Sequence, residues 1–485
     1  MNTYQNLHLA YIGAEWRKGS ADGTTPIMNP WDNSQIAEVQ NCSADDIDTA
    51  YQAAAKAQKK WAETSPSHKR SVLLKAADIM EARKEEIIDW LVRESGSTQL
   101  KAGLEWSNAF EITRESATFP SRSHGYIFPS DIPNKENRIY RKPLGVVGII
   151  SPWNFPYHLS MRSFAPALAT GNGIVLKPAS DTIVTGGTLI AKIFEEAGVP
   201  QGLISVVMGK SSEIGDAMVA HPIPELISFT GSTKVGKHIG ELAGKSLKKT
   251  SLELGGNNVM IVLDDADVDY AVESATMGKF MHQGQVCIAL NRILLADSIY
   301  DQFAEKFADK VRNLPVGNPE DKKTVIGPII NQSQVDSIQE DLQKSIEAGA
   351  KKIVGGKVDK LLMEPVVLTE VTNDMPIAAN EIFGPVAPLI RFSNVDEAVE
   401  MANNSPYGLS GAVHSKDIEH AVEVGKRIKT GMVHINDQSI NDEYMVAFGG
   451  EKASGIGRFG GEFVLEEFTT LQWVSVQKIH RNYPV

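Results

Sequence analysis

The spacing of apolar and polar residues divides the chain into a helical opening and two long alternating series. Spaced apolar positions behind Ser43-Ala44-Asp45-Asp46 predict a helix over 43–61. Val72, Leu73, Ala76, Ile79, Met80, Ile87 and Leu91 keep helical spacing and predict one long helix over 68–94, with a third from 98 to about 118. The period then shortens, and 125–128 and 137–142 read as strands around a Pro/Asn/Lys-rich turn. From Gly145 onward short apolar runs alternate with helices, which is the pattern of a parallel sheet covered on both faces. The expected strands are 146–150, 174–176, 204–208 and 226–229, with helices at 182–197 and 233–243. A second series opens with strand 259–263, helix 268–281, strand 292–295 and helices 298–314 and 332–348. It continues with strands near Val366 and over 385–392, helix 395–403, strand 410–414, helix 418–428 and strand 432–436. The run 471–477 stands alone as a terminal strand, of the kind that pairs across a domain or subunit boundary.

Composition narrows the class of an α/β protein. A chain of 485 residues exceeds one compact core, so two or three domains are expected. The net charge of −12 and the lack of any Lys/Arg-rich block argue against a nucleic-acid surface. No stretch of about 20 uninterrupted apolar residues is available to span a bilayer, and the first residues lack the pattern of a secretory signal. With only two cysteines there is no disulfide framework, and a reduced, cytoplasmic protein is expected. The 11 histidines are scattered without ligand spacing, so no metal is expected.

One of those two cysteines sits among glycines and amides in His282-Gln283-Gly284-Gln285-Val286-Cys287. A thiolate attacks carbonyl carbon well, and a carboxylate such as Glu253, in Leu252-Glu253-Leu254-Gly255-Gly256, can activate water against the resulting thioester. Taken alone, a free cysteine is more often a small buried hydrophobe. Phe229-Thr230-Gly231-Ser232 places a glycine turn between a strand and a helix start, where free N–H groups favour phosphate, although it departs from Gly-x-Gly-x-x-Gly. Asn154 follows a parallel strand at the end where ligands bind in open sheets. Its amide can serve an oxyanion or simply cap a turn between prolines. Lys177 closes the next strand, and Glu381 precedes one in the second series.

Together these segments resemble the aldehyde dehydrogenase superfamily over nearly the whole chain. The motifs occur in family order: Pro152-Trp153-Asn154-Phe155-Pro156, Lys177-Pro178, Phe229-Thr230-Gly231-Ser232, Glu253-Leu254-Gly255-Gly256, Gly284-Gln285-Val286-Cys287, Glu381-Ile382-Phe383-Gly384-Pro385 and Phe448-Gly449-Gly450. His282-Gln283-Gly284-Gln285 and Val433-His434-Ile435-Asn436-Asp437-Gln438 look most like the benzaldehyde and vanillin dehydrogenases. The resemblance implies that Cys287 forms a thiohemiacetal, with Asn154 and the Cys287 N–H holding its oxyanion. Hydride transfer to nicotinamide would then leave a thioester, which Glu253 would open with water. It implies that Lys177 and Ser180 meet the adenosine ribose, that Trp153, Gly209, Gly231 and Ser232 complete the cofactor contacts, and that Glu381 and Phe383 serve the nicotinamide end. It also implies a Rossmann-like cofactor domain (1–122 and 144–252), an α/β catalytic domain (253–465) and a small β oligomerisation domain (123–143 and 466–485) in a homodimer or homotetramer.

Three departures matter. Many NAD-preferring relatives carry Glu where this chain has Ser180, so NADP is expected to be accepted as well as NAD, or preferred. Some relatives place a second glutamate at the position of Phe459, so either Glu253 works without that helper or Phe459 lines the acyl tunnel. Ala447 replaces a proline before Phe448-Gly449-Gly450, which is read as neutral. Tyr157, Met161, Val286, Ile288 and Tyr444 fall in tunnel segments of relatives and carry no charge, which favours a flat aromatic aldehyde. The alternatives are a semialdehyde or aliphatic aldehyde dehydrogenase, a CoA-acylating relative, which would lack Glu253, and a non-catalytic binding protein on the same fold.

Overall fold

A computed structural model describes residues 3–484; the outermost positions of the expected 1–122 and 466–485 segments lie outside it. Its first sheet has eight strands, in the order Glu15–Arg17, Ala10–Ile12, Ile204–Val206, Gly173–Lys177, Val146–Ile150, Pro224–Thr230, Lys249–Glu253 and Gly455–Ile456. The five from Ile204–Val206 to Lys249–Glu253 pair in parallel, and antiparallel strands close both edges. Ile150 pairs with Lys177 and with Phe229, and Thr230 with Glu253. Asn154, Lys177, Gly231 and Glu253 therefore all emerge at one carboxyl edge, where an open parallel sheet binds ligands.

The chain crosses from this sheet to a second through Leu254-Gly255-Gly256-Asn257. The second sheet runs Lys351–Val354, Val366–Thr369, Val386–Phe392, Leu290–Ala296, Asn258–Val262, Gly411–His414, His434–Ile435, and only the Lys351–Val354 pairing is antiparallel. Cys287 lies just before Leu290–Ala296 and Glu381 just before Val386–Phe392, so the amino edge of this sheet faces the carboxyl edge of the first. A third, antiparallel sheet joins Tyr126–Pro129, Lys135–Pro143 and Thr469–Gln477, the last two paired over their whole length. The lone terminal strand thus finds its partner within the same chain. Ile127, Phe128, Leu471 and Trp473 stand exposed on this sheet.

Ser43 caps its helix with the full reciprocal capping box expected of Ser-x-x-Asp. The single helix expected over 68–94 is two, Pro66–Ala82 and Lys84–Ser95. The chain leaves helical geometry at Arg83, whose guanidinium pairs with Glu86 and Glu196 and lies over the Tyr4 ring. Tertiary pairing outweighs a continuous apolar stripe there. The expected strand 432–436 shortens to His434–Ile435. Helices Pro156–Ala169 and Ser211–Ala220 and strand Lys249–Glu253 were not foreseen. Every residue of Pro156–Ala169 is buried and Pro166 lies inside it, so it has no solvent-exposed face for a period to reveal.

Arg292 ties the second sheet to its loops. Its guanidinium donates to Asn257 Oδ1 and O, Asn373 Oδ1, Met401 O and Ala402 O, at 2.6–3.1 Å. Asn257 in turn donates to the carbonyls of Ala378 and Ala379, just before Glu381. Arg292→Met removes the guanidinium donor from all of these acceptors, with Asn257 Oδ1 and Met401 O still reached by Asn291 and Asn373, and is expected to cost on the order of 3 kcal/mol. A shift in the urea unfolding midpoint at unchanged slope checks this.

Candidate active site

Two cavities, each of about 250 Å3, meet at Cys287. Cys287, Asn154 and Leu159 line both, and Cys287 stays partly open to them. On one side the wall is mainly apolar: Leu104, Phe155, Met277, Met281, Val286, Ile288, Ile440 and Phe448. On the other stand Trp153, Thr230, Gly231, Ser232, Glu381 and Phe383, with Trp153 meeting Phe383 edge to face at 5.4 Å.

The turn before Cys287 explains its run of amides. His282, Gln283 and Gly284 take φ values of 49°, 58° and 74°, a left-handed conformation that strains the first two. Gln283 Nε2 donates to Pro328 O (2.9 Å), and Gln285 Oε1 accepts from Ile330 N (3.0 Å). Asn154 Nδ2 donates to Gln285 O at 3.0 Å. A primary amide has two N–H groups, and Gln285 takes up only one of them. Asn258 Nδ2 holds the Cys287 carbonyl at 2.8 Å.

Burial sets the protonation states. It pushes the Cys287 thiol up to about 12, opposed by Arg162 and reinforced by Glu253 and Glu381. It pushes Glu253 up to about 8, opposed by Arg162 and Arg458. Both Glu253 carboxyl oxygens are buried without a hydrogen-bond partner, and neither cavity wall includes that residue. Glu381 is raised to about 7 by burial, against the Gly256 N–H that donates to its Oε1 at 2.9 Å.

The remaining expected cofactor residues group at the sheet edge outside these two cavities. Lys177 Nζ donates to Ser211 Oγ at 2.9 Å and Pro178 O at 3.3 Å, and Ser180 Oγ donates to Gly209 O at 3.3 Å. Ser232 caps the helix Thr233–Gly244, its side chain accepting from Val235 N, directly after the Thr230-Gly231 turn. Hydroxyls, an amine and a helix start suit phosphate and ribose, and the Glu381 carboxylate suits a ribose diol, so this donor set fits a nicotinamide dinucleotide.

Of the expected tunnel residues, Val286 and Ile288 line the apolar cavity. Tyr157 and Met161 do not: both are wholly buried on the far side of helix Pro156–Ala169. The cavity side of that helix is Phe155, His158, Leu159 and Arg162, one residue out of phase with the expectation. Tyr444 and Phe459 line a small neighbouring crevice shared with Arg162 and Asp442. The wall is also not free of charge, as the sequence suggested. Arg162 is buried there, paired with Asp442 and lying 3.9 Å over the Phe448 ring, while His158 Nε2 is 3.2 Å from Asp442 and held neutral by burial. Thr230, Gln334 and Ser337 on the cofactor side, and Asn108, Asn441 and Glu443 on the apolar side, were not anticipated. Asn441 and Glu443 lie in a loop and carry no period, while Asn108, Gln334 and Ser337 are polar positions on helices that local spacing reads as solvent-facing.

The model of the aldehyde dehydrogenase family matches residues 16–474. The chain is 51% identical to a benzaldehyde dehydrogenase of Bacillus subtilis, with 100% of both chains covered. It is 50% identical to a vanillin dehydrogenase of Corynebacterium glutamicum, covering 96% of this chain and 97% of that one. The crystal structure of an NAD-dependent benzaldehyde dehydrogenase from Corynebacterium glutamicum superposes with a TM-score of 0.90 at 47% identity, covering 97% of this chain and 99% of that one. This chain belongs to the aldehyde dehydrogenase family. It is an NAD(P)-dependent aldehyde dehydrogenase with the fold of that family.

A methyl at Gly256 would stand 2.4 Å from the Cys287 carbonyl oxygen, a backbone atom fixed by Asn258. Gly256→Ala is therefore expected to displace Cys287 and lower kcat by about a hundredfold. Circular dichroism should show the fold intact; wild-type kcat in the variant would contradict the geometry.

Proposed function

We propose that the protein oxidises neutral aromatic aldehydes of the benzaldehyde or vanillin kind to carboxylic acids, with Cys287 as nucleophile, Asn154 as oxyanion donor and Glu253 as base. The observation that carries this reading is the placement of Cys287 and Asn154 on the walls of both cavities. An aldehyde in the apolar cavity and a cofactor in the other would meet at the same sulfur. Cys287 gives its thiol proton to water in the cavity as Sγ adds to the aldehyde carbon, and the free Asn154 N–H with the Cys287 N–H receives the oxyanion, roughly 3–4 kcal/mol for one such donor. The bound nicotinamide supplies the two-electron acceptor. Glu253 then takes a proton from the water that opens the Cys287 thioester, and the thiol leaves with the acid released.

Arg162 bears on substrate choice. Its charge is taken up by Asp442 and spread against Phe448, so an anionic semialdehyde finds no free cation on this wall. Flat apolar rings match the Met, Leu, Ile and Phe lining. The names of the benzaldehyde and vanillin dehydrogenases to which the chain is similar support the same class.

Trp153, Glu381 and Phe383 would hold the nicotinamide half, Gly231 and Ser232 the pyrophosphate, and Lys177, Ser180 and Gly209 the adenosine half. Ser180 offers neither a carboxylate for the ribose diol nor repulsion toward a 2′-phosphate, and Lys177 supplies a cation nearby. Both NADP and NAD are accepted on this reading. The two large sheets and the small third one support a division into cofactor (1–122, 144–252), catalytic (253–465) and oligomerisation (123–143, 466–485) parts, with strand Gly455–Ile456 of the catalytic part reaching across to the first sheet. The exposed apolar residues of that third sheet, Trp473 and Ile127 among them, suit a homodimer or homotetramer contact. Among the described residues no helix is long and apolar enough to cross a membrane, and two free cysteines suit a reducing cytoplasm.

Cys287→Ala is expected to abolish benzaldehyde oxidation; full activity in that variant sinks the mechanism. Glu253→Gln should still form acyl-enzyme in one rapid burst while steady-state turnover collapses. Because the base must be ionised and burial raises Glu253 to about 8, log kcat should climb with pH and level off above about pH 8. A profile flat from about pH 6 to about pH 9 contradicts Glu253 as the base. For the cofactors, kcat/KM with NADP should lie within a hundredfold of that with NAD; a larger preference for NAD, roughly 3 kcal/mol, rejects the reading of Ser180.

A further inference from the structure

The helix Pro156–Ala169 starts two residues after Asn154 and has no cap of its own: Phe155, at the capping position, makes no side-chain bond to the first turn, and Pro156 follows it. Orphan N–H groups at a buried helix start need an acceptor. They find it on another helix, Gln99–Ser116, where Glu105 Oε1 accepts from Tyr157 N at 2.9 Å and His158 N at 3.3 Å. The other Glu105 oxygen accepts from Lys101 Nζ one turn earlier, and Lys101 also donates to Ser97 Oγ at 2.9 Å. Both side chains of the pair are fully buried. Lys101 Nζ further lies 4.2 Å over the ring of Phe155, which meets His282 edge to face at 5.8 Å. The contacts of this pair therefore converge on the backbone that carries Asn154 from one side and on the turn leading to Cys287 from the other.

We infer that Glu105, held by Lys101, is a positioning residue for the Asn154 amide: it fixes the start of helix Pro156–Ala169 and thereby the place of the oxyanion donor. It touches neither of the two cavities. A buried ion pair is an expensive way to stabilise a fold, since apolar replacements of similar volume are often neutral or better. Its use here is explained by geometry, because a charged acceptor anchored on both oxygens fixes two N–H groups more tightly than an apolar contact can. The same helix presents Leu104 and Asn108 to the apolar cavity, so the wall that meets the aldehyde and the brace behind Asn154 share one rigid element.

This inference rests on the reading of Asn154 as oxyanion donor, and the test separates the two. Two charge-free variants are compared: Lys101→Met with Glu105→Gln keeps a carbonyl acceptor at the helix start, and Lys101→Met with Glu105→Leu removes it. The Gln variant should keep kcat within about threefold of wild type, and the Leu variant should lose on the order of tenfold to a hundredfold in kcat with KM for benzaldehyde little changed. In an Asn154→Ala background the gap between the two should close, because there is no amide left to position. Equal kcat in the two variants overturns the inference, as does a gap that persists in full without Asn154. If Asn154→Ala alone leaves kcat unchanged, the oxyanion reading itself fails. Should the Leu variant not fold, Glu105→Asp withdraws the same carboxylate by one methylene while keeping a charge for Lys101, and the same comparison with and without Asn154 decides the matter.

Discussion

The left-handed turn at His282, Gln283 and Gly284 is what the rest of the site depends on. Without it, the chain leaving helix Val268–Phe280 would continue past the space between the two sheets instead of turning Cys287 into it. Two non-glycine residues in that conformation cost on the order of 1–3 kcal/mol each. The cost is offset by side-chain amides that find carbonyls and N–H groups around them: Gln283 at Pro328, Gln285 at Ile330, and Asn154 at Gln285. Asn154 thereby does two things at once. One N–H locks the turn that carries the thiol, and this leaves the other beside it.

Desolvation is the second constraint, and it acts on every ionisable group at the junction. The thiol, Glu253 and Glu381 are all raised by burial and opposed by few neighbours: Arg162 and the Ile288 N–H for the thiol, Arg162 and Arg458 for Glu253, and the Gly256 N–H for Glu381. Burial disfavours the charged form of each of these acids. Substrate and cofactor then complete the environment in which those acids ionise. The opposed sheet edges make this possible, since a carboxyl edge supplies turns with free N–H groups and an amino edge supplies the loops that carry Cys287 and Glu381.

What the sequence made legible follows from the same physics. Alternating apolar runs revealed the strands that are buried on both faces, and Ser43 and Ser232 marked helix starts through their own side chains. The motif residues of the site were visible as residue types in order. The tunnel was not, because its wall is set by the phase of helix Pro156–Ala169, which has no exposed face from which a phase could be read. Tyr157 and Met161 were placed one step away from the true face for that reason. Likewise the break at Arg83 comes from Tyr4, Glu86 and Glu196, contacts that no local spacing carries.

The position of Phe459 shows how the site is organised around a cation in place of a second carboxylate. Phe459 is buried beside the Arg162 guanidinium, 5.8 Å from its ring centre, with Phe448 closer on the same group. An aromatic residue there cannot pass a proton to or from Glu253. Arg162 and Arg458 are instead the groups that draw the Glu253 carboxyl toward its ionised form against the pull of burial. Arg162 can do so without becoming a general anion trap because Asp442 neutralises it and two rings cover it. The same arrangement that keeps the wall acceptable to an uncharged ring sets the Arg162 guanidinium, not a second carboxylate, against the burial that raises the thiol and Glu253, so apolar lining and an ionisable base are both served by one pair.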